Sequence, residues 1–76
     1  MALQFVDLPN PVWTPLENDV GTDNCVDWMY MGCYQQGCDR IYTYKHRDTR
    51  VTVAFGDDGR RMSYVPNANG GSYVLI

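Results

Sequence analysis

The first 39 residues of the chain contain no lysine or arginine, residues 62–76 contain no charged side chain, and a single histidine serves all 76 positions. Each absence excludes something. With no basic segment near the start, no apolar run of signal length and none long enough to cross a bilayer, neither a leader nor a spanning segment is read; a cytoplasmic protein with no membrane partner is expected. One imidazole, no glycine-rich phosphate loop, no G-x-S-x-G and no H-E-x-x-H leave the common catalytic machineries without their parts. Neither an enzyme nor a cofactor is therefore expected. Cysteine is scarce and odd in number: Cys25, Cys33 and Cys38 cannot all pair with one another, which argues against a secreted disulfide scaffold and for reduced thiols.

What is present points to one small folded domain. Apolar residues make up 45% of the chain and aromatics 13%, enough for a thin core because each buried ring removes more surface from water than an aliphatic side chain. A domain of this size has little room for both a core and a deep pocket, so a binding surface is expected rather than an elaborate active site. The formal charge of −3 conceals a segregation: residues 1–39 carry six acids and no cation, whereas residues 40–61 carry all six cations, Arg40, Lys45, Arg47, Arg50, Arg60 and Arg61, against Asp48, Asp57 and Asp58.

From Arg40 onward the apolar pattern has a period of two. "RIYTYKH", "RVTVAF", "RRMSYVP" and "SYVLI" read as four strands, joined by "RDT", "GDDG" and "NANGG", whose residues suit tight turns. In the third of these strands Met62 and Tyr64 share a face. Before Arg40, Pro9, Pro11 and Pro15 predict an extended or edge-lying arm over residues 1–15 and argue against a helix there; "ENDVGTDN" predicts a polar loop, with 16–24 as its span. "CVDWMYMGCYQ", residues 25–35, fits two templates. Val26, Met29, Tyr30, Cys33 and Tyr34 make a helical stripe, but a composition rich in Val, Trp, Tyr and Cys, interrupted by Gly32, favours a strand. The fold expected is mostly β: a small curled antiparallel meander over 25–76 with the proline-rich arm in front. The alternative is α+β, with one helix over about 24–36 packed on a four-stranded antiparallel sheet.

Three constellations are candidates for function. Cys25, Cys33, Cys38 and His46 form a C-x7-C-x4-C-x7-H series of tetrahedral zinc-ligand types that loosely resembles the CCCH zinc-finger pattern, with different spacings and no C-x2-C knuckle. A small zinc-stabilised domain is what that resemblance implies; core packing of the thiols competes with it. Arg40, Tyr42, Tyr44, Lys45, Arg47 and Arg50 interleave cations with rings, as single-stranded nucleic-acid binders do, although alternation separates Lys45 from the tyrosines and a pI near 4.7 weighs against it. Finally, Trp13, Trp28, Tyr30, Tyr34 and Tyr73 are more ring surface than so small a core encloses. Trp13, Trp28 and Tyr30, with Arg47, Arg50, Arg60 and Arg61, make the expected contact set of a non-catalytic module that binds another protein or its own copy.

Overall fold

A computed structural model describes residues 3–68 and 70–76. Six strands form one antiparallel sheet in the order β1-β2-β3-β4-β5-β6: Gln4–Val6, Trp28–Gln36, Asp39–His46, Thr52–Phe55, Arg61–Val65 and Ser72–Leu75. The expected meander is therefore present, and the alternative helix over 24–36 is not formed. Helix α1, Thr14–Val20, and a 3-10 helix, Thr22–Asp27, lie between β1 and β2.

Three boundaries differ from the sequence reading. In the arm 1–15, Gln4, Phe5 and Val6 lie along the sheet edge as β1, paired with Gln35, Tyr34 and Cys33, but the arm ends at Trp13 because α1 begins at Thr14. The expected polar loop 16–24 is occupied by α1 and the start of the 3-10 helix. Pro15, counted against a helix, stands in its first turn, where the missing N–H has no intrahelical partner to lose and the fixed φ is already helical. Glu17 lies in that same turn, where a carboxylate complements the exposed amides. The Asn24 side-chain amide then donates to the carbonyl of Val20 at 2.7 Å, satisfying one acceptor that the helix end leaves open. The sheet body accordingly begins at Trp28, not at residue 25.

The ambiguity of residues 25–35 has a local cause. Trp28 and Tyr30 pair with His46 and Tyr44, but the register then shifts between Tyr30 and Gly32, leaving Met31 as the extra residue of a bulge. Tyr30 and Cys33, three apart, thus face the same side. Gly32 at this bulge has φ of 118°, and a Cβ there would come within 2.9 Å of the Phe5 ring across the β1–β2 pair.

α1 covers one face of the sheet, where Leu16, Tyr44 and Phe55 are completely buried and Trp13, Val20, Cys25, Trp28, Tyr30, Tyr42 and Val53 pack around them. Tyr44 is the centre of this cluster, with ring centroids of Trp13, Tyr30 and Phe55 at 5.6, 5.8 and 5.9 Å. Its hydroxyl donates to the Val12 carbonyl and so ties the N-terminal segment to the sheet. Arg61 lies over the Phe55 ring and reaches Asp19 of α1, joining the helix to β5.

The sheet curls around its other face. At the end of β2 the Gln36 side-chain amide accepts from the Tyr73 N–H at 2.7 Å and donates to the Tyr73 carbonyl at 2.8 Å, so a side chain takes the place of a neighbouring strand's peptide. β6 is drawn toward β2 although three strands separate them in the sheet. The β5–β6 connection is held tightly: the Tyr64 hydroxyl donates to the Gly70 carbonyl, and a Cβ on Gly71, whose φ is 117°, would overlap the Tyr64 ring. Only glycine fits there.

Candidate functional site

The curl produces a cleft of about 650 Å³ on the face opposite α1. Met31, Tyr34, Lys45, Thr52, Met62 and Tyr73 line it, together with Tyr64, Ile76 and residues of the central strands. Alternation along the strands puts Thr43, Lys45, Thr52, Ala54, Met62 and Tyr64 on this face, opposite Tyr42, Tyr44 and Phe55. The floor is closed by Thr43, whose hydroxyl donates to the Gly32 carbonyl at 2.9 Å. Burial pushes the Tyr73 hydroxyl above the ordinary tyrosine range, with the neighbouring Tyr34 and Tyr64 adding to the effect.

A second surface is the edge made by β5 and β6. Tyr64, Val65, Val74, Leu75 and Ile76 are all exposed, from 42% at Val65 to 82% at Ile76. β6 forms the outer strand of the sheet, and no charged side chain occurs from Met62 to Ile76. The opposite edge is different: β1 has three residues and runs into Asp7, Pro9 and Pro11, which blunt further pairing.

The residues expected to act together are dispersed. Trp13, Trp28 and Tyr30 are half-buried against the core, and Trp28 sets its ring edge-on to His46 at 5.0 Å. Arg47 and Arg50 flank the β3–β4 turn, whereas Arg60 and Arg61 precede and begin β5, at the other end of β4. Arg60 pairs with Asp58 at 3.1 Å and Arg61 with Asp19, leaving Arg47 and Arg50 outside the two ion pairs among the described residues.

The ring-and-cation hairpin does not make a stacking platform. Tyr44 is inaccessible, Tyr42 donates to the Asp57 carboxylate at 3.2 Å on the covered side, Lys45 faces the cleft, and Arg40 is exposed at the start of β3. Nor are the zinc-type ligands assembled. Cys25 sits on the 3-10 helix, Cys33 is buried in β2, and Cys38 and His46 stand at opposite ends of β3, about 26 Å apart at the usual rise per residue. Among the described residues no group of three or more histidine, cysteine, aspartate or glutamate side chains is placed to hold a metal. Burial raises the Cys33 thiol above its ordinary range, as expected for a core thiol. At that separation His46 does not reach Cys38. Its Nδ1 instead accepts from the backbone N–H groups of Asp48 and Thr49, both at 3.2 Å, and shapes the turn in which Arg50 takes φ of 64°.

Sequence reasoning missed as cleft residues Tyr34 and Tyr73, which the bulge and the curl bring there, and Thr52, which the β3–β4 register sets directly across from Lys45. The neutral edge left a clear signal, the absence of charge after Arg61. Among the described residues no helix is long and apolar enough to cross a membrane. Comparison with protein-family models, with curated proteins and with solved structures finds no match to this chain.

Proposed function

We propose that the protein is a non-catalytic cytoplasmic interaction module that joins a second copy of itself through the β6 edge. The observation that carries this reading is the neutral, apolar β5–β6 border. Edge strands in soluble domains are ordinarily protected by lysine, proline or inward charge, and from Ser72 to Ile76 this one has none. Two identical borders of this kind meet about a twofold axis without like-charge repulsion, and because Gln36 already bonds the Tyr73 N–H and carbonyl, the contact is made by the exposed apolar side chains rather than by a shared ladder. Val74, Leu75 and Ile76 of each copy then cover one another. The dispersal of the rings and arginines supports a contact at this border rather than at Trp13, Trp28 and Tyr30. Three unpaired thiols support a reducing compartment, and the distance between Cys38 and His46 supports a non-catalytic role.

Sedimentation or sizing across a concentration series tests the pairing. The native chain is expected to shift from monomer to dimer between micromolar and millimolar concentration, and Val74→Lys to remain monomeric with an unchanged circular dichroism spectrum. A native chain that stays monomeric throughout, or a Val74→Lys dimer, overturns the reading.

A further inference from the structure

Going beyond edge pairing, we infer that the cleft opposite α1 binds an amphiphilic organic anion, a carboxylate with an apolar body. The lining carries the chemistry for both ends of such a molecule. Met31 and Met62 offer unbranched thioethers that adapt to irregular apolar shapes, and Tyr34 and Tyr73 add ring surface. Lys45 supplies the charge. It is half-buried, takes part in neither ion pair among the described residues, and stands directly across the β3–β4 ladder from Thr52, whose hydroxyl is a second donor type on the same face.

The sign of the site is unusual for this molecule. The chain carries a net charge of −3, yet no aspartate or glutamate lines the cleft. Its other cation, Arg61, has its guanidinium engaged with Asp19 and Phe55 on the far side of the sheet. An anionic head group therefore meets one ammonium outside both ion pairs and no aspartate or glutamate side chain, whereas a cationic one meets the ammonium's repulsion. The volume, about 650 Å³, lies within the range usual for small-ligand sites, roughly 300–1,000 Å³, and such sites typically combine an apolar lining with a few placed polar groups.

Titration with sodium decanoate below its aggregation concentration, followed by the methyl resonances of Met31 and Met62, tests this inference, with decyltrimethylammonium as the cationic partner of equal chain length. Running the same titrations on Val74→Lys separates ligand binding from edge pairing. Decanoate is expected to shift both methyl resonances saturably at one site, in the native chain and in Val74→Lys alike, and decyltrimethylammonium is not. Lys45→Gln is expected to weaken decanoate about tenfold, the factor appropriate to losing one charge-assisted hydrogen bond, and Lys45→Arg to retain it. Equal binding of the cation, no loss in Lys45→Gln, or shifts confined to Val74 and Leu75 would overturn the proposal.

Discussion

Two tyrosine hydroxyls in the core have opposite circumstances. Tyr44 is fully buried with its proton committed to the Val12 carbonyl, and burial first, then the neighbouring Tyr30 and Tyr42, raises its ionisation well above the ordinary range. Tyr30 has a buried hydroxyl with no hydrogen-bond partner among the described residues. Below about pH 10 Tyr44 is protonated whether the chain is folded or not, and it adds no pH dependence. Above that the unfolded chain releases the proton and the folded chain keeps it, so stability falls with rising pH, by about 1.4 kcal/mol per pH unit for one such group. Urea unfolding between pH 9 and 11.5 should show this slope in the native chain and a shallower one in Tyr44→Phe; parallel curves would contradict it. Tyr30→Phe removes a hydroxyl that burial penalises and is expected to be neutral or stabilising at pH 7. A loss above about 1 kcal/mol in that variant would mean the hydroxyl is satisfied after all.

At the scale of elements, the closure of the sheet rests on one amide. Gln36→Leu keeps the bulk but removes both bonds to Tyr73, and a cost of about 1–3 kcal/mol is expected. Amide exchange at Tyr73 should accelerate while the β2–β3 ladder stays protected, and unchanged exchange there would show that the curl does not depend on this contact. The four strands after Arg40 were legible because their period of two is uninterrupted. β2 was not, since its bulge changes the spacing of inward residues from two to three and imitates a helical stripe. α1 was missed for another reason: seven residues are too few for periodicity, and a proline in the first turn looks identical in sequence to a proline in a loop. The cleft was illegible in principle, because alternation tells which residues share a face but not which way the sheet bends.

For the whole molecule, the aromatic cluster lies on one side of the sheet under one short helix, while Ile41, Thr43 and Ala54 are buried on the other face, inside the curl. Leu16 is the fully buried residue by which α1 contributes to the cluster. Leu16→Ala is expected to cost about 2–5 kcal/mol, a large share of the roughly 4–11 kcal/mol that a chain of this length has in total. A denaturation midpoint moved by less than about a quarter would show that the helix is peripheral. The charge segregation seen along the chain is joined in space at one point, Asp19 to Arg61, 42 residues apart; the acidic first half does not otherwise neutralise the basic hairpins among the described ion pairs. The strand order carries a consequence for how the molecule forms. Every ladder joins elements that follow one another in the sheet, and from Trp28 onward also in the chain, so hairpins can zip successively, each closing only a small loop. The bonds Tyr44–Val12, Gln36–Tyr73 and Asp19–Arg61, spanning 32 to 42 residues, close the largest loops and therefore belong to the final kinetic step, when an assembled ribbon folds over and is latched.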